Sequence, residues 1–463
     1  MFQYASYYIK SCYVLIFIVF SLVNFLNNIM GECKMKKNSI KMYLLLISIM
    51  LVIAGCSSTS TQVENESTSS DSPTKVVFWD LFSGNDGTVM TEMVNEFNKE
   101  HPSIKVEKIT QEWGEYYTKL TTSVLGNKAP DLGISHATRV MQLEHEGVIQ
   151  PMGEIAEANG INFDDLSENA VNSTIIEGTN YAVPLDYHAF LLFYNKKLLG
   201  DLNLLNDEGI PEFNSYEEFI SLLEKVKEGN PDITPLALRG QGTHPLRLWY
   251  TFYKQQGGGD IYSSKDAKAT IDKEIGKNSL EAVYDLYNTY KVVPPKIENI
   301  DEMFQSGKAA FMINVTGAVD NTYKVLGDDL GVLKFPTLFD KPSVYADSHT
   351  FILPTNPNRV EKTTKAAMTF VKWVTDNGWK WSKAGHLPVS KNALDSKELK
   401  NQPFRSEYES ESEYMEYLPP NEKVWFANSS ELMDVLDSIW IKNVSVEEGL
   451  EKVEQVINDQ LQD

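Results

Sequence analysis

The side chains able to do chemistry in this 463-residue chain fall in short groups that set planar rings beside hydrogen-bonding functions. Trp79, Asp80, Phe82 and Ser83 form one group; Glu112, Trp113 and Tyr116 a second; Ser135, His136 and Arg139 a third. Asp186-Tyr187-His188, Arg247 with Trp249, Tyr250 and Tyr253, Asn314, and Asp347-Ser348-His349 complete the set. Rings next to carboxylate, amide, imidazole and guanidinium groups suit non-covalent capture of a ligand that offers an array of hydroxyls and a weakly apolar face. Plainer readings stand beside this one. Trp249, Tyr250 and Tyr253 sit at roughly helical spacing and also suit a packed face, and Trp79 at a strand end also suits a core.

Two other chemistries can be weighed on the same residues. His136, His188, His349 and His386 raise a metal site, but no pair has the i, i+4 spacing of a helical ligand pair, and neutral imidazoles serve equally well as hydroxyl partners. No metal and no cofactor is expected. Glycoside hydrolysis needs two carboxylates flanking one bond, roughly 5 Å apart for retention or further for inversion. The 64 acidic residues offer many pairs, yet no recognisable catalytic motif accompanies them, so an enzyme is not expected.

The elements that must position these groups begin at Lys75-Val76-Val77-Phe78-Trp79, an apolar run of strand length followed by the Ser83 to Gly87 turn cluster. Met90, Met93, Val94 and Phe97 then mark one face of a helix, which His101-Pro102 stops. Ile104 to Ile109 alternates as a half-buried strand. Tyr117, Leu120, Thr121, Val124 and Leu125 mark a second helix, and Asp131 to Ser135 a third strand. The order β-α-β-α-β predicts a parallel sheet with helices on its faces, and residues just after the strands are the ones to inspect. Ser215 with Glu218, and Ser445 with Glu448, are capping boxes that open amphipathic helices, while Asn377-Gly378 ends another. No fixed-period repeat is visible, which argues against solenoids and propellers.

The strings FWDLFSG, MVNEFNKEHPSIKVE, KLTTSVLGNKAPDL and LEHEGVIQPM, in that order and spacing, resemble the opening of the family 1 extracellular solute-binding proteins, the sugar-binding components of ABC importers. The resemblance continues through Gly178 to Pro184, Leu192 to Lys196, Asn214 to Phe219, Phe304 to Met312, Ala366 to Trp373 and Gly385 to Val389, covering nearly all of 75–463. It implies an α/β, two-lobe periplasmic-binding-protein-like fold of type II, with the ligand cleft between lobes joined by crossing strands. Lobe one would be 75–184 plus 347–380, and lobe two 185–346 plus 381–463. Crossings would lie near Pro184 to Tyr194, Tyr345 to Pro354 and Trp381 to Pro388. The implied ligand is a mono- or oligosaccharide, held by Trp79, Phe82, Ser83, Trp113, Tyr116, His136, Asp186, Tyr187, His188, Trp249, Tyr253, Asn314, Asp347, Ser348 and His349, and the implied partner is an ABC permease. Two departures stand out. A glycine-x-tryptophan platform is replaced by Asn314 to Ala318, and a paired glycine at the second crossing by Ala346-Asp347-Ser348-His349, which suggests a ligand read more by hydrogen bonds at that end. At the level of sequence a binder of another solute, a secreted glycoside hydrolase and a structural surface lipoprotein stay open.

Met35 to Cys56 reads as an export signal: Lys36, Lys37 and Lys41, a short apolar core from Met42 to Val52, then Ile53-Ala54-Gly55-Cys56. The ending resembles a bacterial lipobox, which implies that Cys56 carries lipid and becomes the mature N-terminus at 56. The core falls short of the roughly 20 apolar residues of a comfortable span. Residues 1–34 hold a second apolar run from Tyr13 to Phe25. Gly31-Glu32 must be encoded by a purine-rich string resembling a ribosome-binding site just ahead of Met35, so Met35 is the expected start. Residues 57–74 are small, polar and acidic, a flexible tether with a reach of roughly 25 Å. The remaining cysteines, Cys12 and Cys33, precede Cys56, so the exported body is expected to contain neither disulfides nor thiolate zinc. A net charge of −22 and a pI near 4.8 argue against nucleic acid or an anionic lipid surface as partner. Membrane attachment is expected through the N-terminal lipid alone, and a monomer in solution.

Overall fold

The computed structural model describes residues 72–421, 430–441 and 444–462; the export signal and the Cys56 lipidation site lie outside the described residues. In chain order the first elements are β1 (Thr74–Asp80), α1 (Gly84–Glu100), β2 (Ile104–Thr110), α2 (Trp113–Leu125) and β3 (Leu132–His136). β1 runs parallel to both β2 and β3. Val76 and Phe78 alternate into the core from β1, and α1 buries the predicted Met90, Met93, Val94 and Phe97 beneath it. In α2 the inward stripe is Tyr116, Tyr117 and Leu120, whereas Leu125 is 77% exposed. The spacing carried the stripe one turn too far, because periodicity does not report where the covering surface stops. β2 buries Val106 fully and leaves Ile109 exposed, as suits a strand at the end of its sheet.

The strands continue with β4 (Ile149–Gln150), β5 (Ala182–Pro184), β6 (Asp186–Asn195), β7 (Thr234–Ala237), β8 (Ala309–Val315) and β9 (Leu330–Lys334). β10 (Val344–Asp347), β11 (His349–Pro354), β12 (Leu387–Pro388) and β13 (Met415–Glu416) follow. They assemble two main sheets. The six-stranded one has the order β2-β1-β3-β11-β4, with β5 also paired to β11. The seven-stranded one has the order β13-β10-β6-β8-β7, with β9 and β12 also paired to β6. All ten residues of β6 are buried, so this strand is the core of its sheet, and it reads as an unbroken apolar run from Ala189 to Phe193.

Helices α3 (Tyr216–Gly229), α4 (Thr243–Gln255) and α5 (Lys273–Tyr287) precede β8; α6 (Glu361–Asp376) and α7 (Val446–Gln462) come after β11. α6 packs on β1, and α4 packs on α5, which in turn meets α7. Both predicted serines cap their helices, Ser215 Oγ accepting from Glu218 N–H and Ser445 Oγ accepting from Glu448 N–H, each at 3.2 Å, while Glu218 reaches back to Asn214 N–H rather than to the Ser215 N–H of a full capping box. Among the described residues no helix is long and apolar enough to cross a membrane.

The chain passes between the two sheets with almost no slack. Leu185 alone separates β5 in the first sheet from β6 in the second, and Ser348 alone separates β10 in the second from β11 in the first. A third approach follows α6, where Gly385 takes φ +101° and delivers His386 to β12 alongside β6. A Cβ at Gly385 would lie 2.3 Å from the Thr316 carbonyl oxygen, so this tight passage requires glycine.

Candidate functional site

The short passages bring four imidazoles together. His136 closes β3 and His349 opens β11, and the two are direct partners in that antiparallel ladder. His188 lies two residues into β6, opposite Asp347 of β10. Ring centroids are 5.2 Å apart for His136 and His349, 4.6 Å for His188 and His349, 5.8 Å for His136 and His188, and 5.4 Å for His349 and His386. All four side chains are buried. Trp381 stacks on His386 and meets Phe82, which presents its edge to His349, so aromatic rings wall one side of the cluster.

Asp186 anchors the group. Its carboxylate accepts from His349 N–H at 2.8 Å and from Trp381 Nε1 at 2.7 Å, and it pairs with His349 Nδ1 at 2.7 Å. His188 Nδ1 lies 3.7 Å from the same carboxylate and has no hydrogen-bond partner of its own. Burial would raise the Asp186 pKa, but the His349 and His386 imidazoles and the hydrogen bonds outweigh it and hold the carboxyl well below its usual range. Burial pushes His136 well below the ordinary imidazole value and His188 down to about 4. Burial acts the same way on His386, yet the carboxylates of Asp86 and Asp186 prevail and raise it. His386 Nε2 is 3.3 Å from Asp86 in the first turn of α1.

A second carboxylate, Asp347 opposite His188, also ties the sheets together. Asp347 accepts from the Thr138 hydroxyl at 2.7 Å and from Thr138 N–H at 3.3 Å, and Thr138 belongs to the turn that follows β3. Thr138 and Ala137 also line a cavity of about 450 Å³. Asn169, Asn172, Ser173, Asp260 and the segment Glu413 to Pro420 complete its lining. Its volume lies within the range of small-molecule sites.

The residues predicted for the site therefore divide. His136, Asp186, His188, His349 and Phe82 converge, and Trp113 reaches the edge of the cluster, its ring 6.3 Å from that of His136. Asp347 and Ser348 lie at the crossing itself. Tyr187, buried on the next position of β6, has a hydroxyl without a partner. Others serve the fold. Tyr116 is wholly buried with its hydroxyl on the backbone of Trp79 and Ile134, Trp249 donates to Ser279 Oγ at 3.0 Å, and Tyr253 accepts from Asp272 N–H at 2.9 Å. All three lie in the packed interior, and an aromatic helix face and a cleft face share one spacing. Trp79 packs half-buried against the core, Ser83 is the exposed residue before α1, and Asn314 bonds Asp301 and its own strand end. The sequence reading missed Trp381, Thr138, Asn169, Asn172, Tyr414 and Tyr417 as candidate site residues. Asn169 and Asn172 share a helix face at i, i+3, and Tyr414 and Tyr417 repeat in an acidic stretch, which are the signals that were there to find.

The geometry can be set beside known proteins. A family model described as bacterial extracellular solute-binding protein matches residues 83–381. An arabinooligosaccharide-binding protein of Bacillus subtilis is 21% identical over 439 residues, covering 92% of this chain and 93% of its own. The GacH receptor of Streptomyces glaucescens, solved unliganded and with acarbose, superposes with a TM-score of 0.72 at 20% identity, over 84% of this chain and 99% of its own. UgpB of Mycobacterium tuberculosis, solved with glycerophosphocholine, has a TM-score of 0.73 at 17% identity, over 84% of this chain and 98% of its own.

Proposed function

The chain belongs to the bacterial extracellular solute-binding protein family, and from that premise we propose that it captures a mono- or oligosaccharide and delivers it to an ABC permease. The family match and the likeness to proteins named for arabinooligosaccharide and solved with acarbose support a carbohydrate as cargo. The observation that carries the reading is the cavity of about 450 Å³ between the turn after β3 and the Glu413 to Pro420 segment. Its lining supplies neutral hydrogen-bonding amides in Asn169 and Asn172, and rings in Tyr414 and Tyr417, the mixture a sugar needs.

In this reading the two sheets are the cores of two lobes, 75–184 plus 347–380 and 185–346 plus 381–463. The single-residue passages at Leu185 and Ser348 act as hinges. Ligand favours the closed form because only there do both walls touch it, and the permease recognises the closed arrangement of the two lobes. The predicted residues of the cluster, His136, Asp186, His188, Asp347, Ser348 and His349 with Phe82 and Trp113, would border the ligand on the crossing side. The protein acts as a binder, with no covalent step, as a monomer tethered outside the cytoplasm by lipid on Cys56.

A thermal-shift screen of the protein against monosaccharides, oligosaccharides, polyamines, glycerol phosphodiesters and short peptides tests this. A ligand at a hundred times its Kd stabilises by about 2.7 kcal/mol. A saturable shift from one glycan class supports the proposal; a shift confined to another class overturns it.

A further inference from the structure

We propose that His136, His188 and His349 form a binding site for a divalent transition-metal ion that bridges the two sheets. The three offer one ligand nitrogen each, all within 4.8 Å of one another, and all three side chains are buried. Imidazole-only ligand sets suit zinc, cobalt, nickel and copper rather than magnesium or calcium, which take oxygen. Three histidines leave a fourth position for water or for a ligand hydroxyl, the arrangement of an open zinc site.

The surroundings are those of a metal centre as well. Ligating histidines commonly give their second ring N–H to a carboxylate or other acceptor, which fixes the tautomer. His349 Nδ1 meets Asp186 at 2.7 Å, and His136 Nδ1 lies 2.7 Å from the Tyr117 hydroxyl. Binding the ion through Nε2 would place the ring proton of both on Nδ1, where Asp186 and the Tyr117 hydroxyl accept it. His188 Nδ1 lies 3.7 Å from the same Asp186 carboxylate, which would be its outer partner with Nε2 on the ion. Tetrahedral zinc with bonds of about 2.0–2.1 Å would draw the nitrogens closer than 4.8 Å. The ion would reach the site through the cleft, whose cavity wall begins at Ala137, next to His136.

The site links β3 and β11 of the first sheet to β6 of the second, so a bound ion would favour the closed arrangement. The proposal does not rest on the identity of the cargo, and the metal titration contains no sugar, so the two can fail separately.

The test uses the protein with any free thiols blocked, stripped with chelator and titrated with cobalt(II), then with zinc. The expected result is one cobalt per chain with the visible spectrum of a four-coordinate ion, displaced stoichiometrically by zinc. His188→Gln and His349→Gln should lose at least a hundredfold in affinity, Asp186→Asn about 10–100-fold as an outer partner, and the exposed His145→Gln nothing. X-ray absorption on the wild-type zinc form gives a readout independent of how the variants fold, and should show three imidazole nitrogens at about 2.0–2.1 Å. No stoichiometric cobalt, a six-coordinate spectrum that survives in folded His188→Gln, or fewer than two imidazoles around zinc would overturn the proposal.

Discussion

Asp186 holds His349 from both ends: one carboxylate oxygen accepts the His349 backbone N–H at 2.8 Å, and the other meets its Nδ1 at 2.7 Å. The two residues belong to different sheets, β6 and β11, so this double contact fixes how the sheets meet. Trp381 Nε1 donates to the same carboxylate and adds the third passage to the knot. Removing the carboxylate strands several buried donors at once. Asp186→Ala should therefore lose about 3–5 kcal/mol of stability in urea unfolding, while Asp186→Asn, which keeps an acceptor, should lose less. Equal losses in the two variants would show that charge rather than hydrogen bonding is what matters there.

Thr138 and Asp347 should be energetically coupled across the sheets. A double-mutant cycle with Thr138→Val and Asp347→Ala should show a coupling of about 0.5–3 kcal/mol in unfolding experiments. Additive effects would mean that the 2.7 Å hydroxyl contact contributes nothing.

Glu411 should make stability fall as pH rises. It is wholly buried, its backbone partner is Phe335 N–H, and burial pushes its pKa up to about 8 from 4.5. Between those values the native state holds a proton that the unfolded state has released, so stability decreases by up to about 1.4 kcal/mol per pH unit from this group. The contribution is fully present below the unfolded value and lost as pH climbs through the folded one. Glu411→Gln should flatten the stability curve between about pH 5 and 8, measured by urea unfolding at a series of pH values. An unchanged slope would mean that Glu411 is ionised in the fold.

Gly385→Ala should destabilise by more than about 2 kcal/mol, because the left-handed backbone and the close Thr316 carbonyl both oppose a side chain. A thermal melt within a degree of the parent would show that the third passage can shift.

Trp113, 39% exposed beside the histidine cluster, is the ring most available to a ligand at the crossing side. On the sugar-binding reading, Trp113→Ala should weaken carbohydrate affinity by more than about 1 kcal/mol, with little effect on the melting temperature of the unliganded protein. The reverse pattern would make Trp113 a packing residue.

Much of the fold was legible because it is locally encoded. The i, i+3, i+4 stripe of Met90, Met93, Val94 and Phe97, and the Ser215 and Ser445 caps, depend on neighbours a few residues away, and these elements fall where the spacing puts them. The histidine cluster was legible in residue types and less so in partners. His136 and His349 meet through the register of β3 against β11, a relation that no short-range spacing records. Testing histidines for helical ligand spacing therefore could not show that they converge. Trp249 and Tyr253 show a different limit of spacing. An aromatic stripe on α4 has the same period whether it faces a ligand or, as here, α5. Tyr414 and Tyr417 line the cavity from a stretch of short elements without sustained periodicity, where pattern reading has little to work with.

The most direct test of sugar capture is a calorimetric titration of the protein with purified oligosaccharides, followed by mass analysis of the recovered glycan. The account predicts saturable one-to-one binding of one glycan class, with the sugar returned intact. Absence of heat from every carbohydrate, or a glycan returned cleaved, would contradict it.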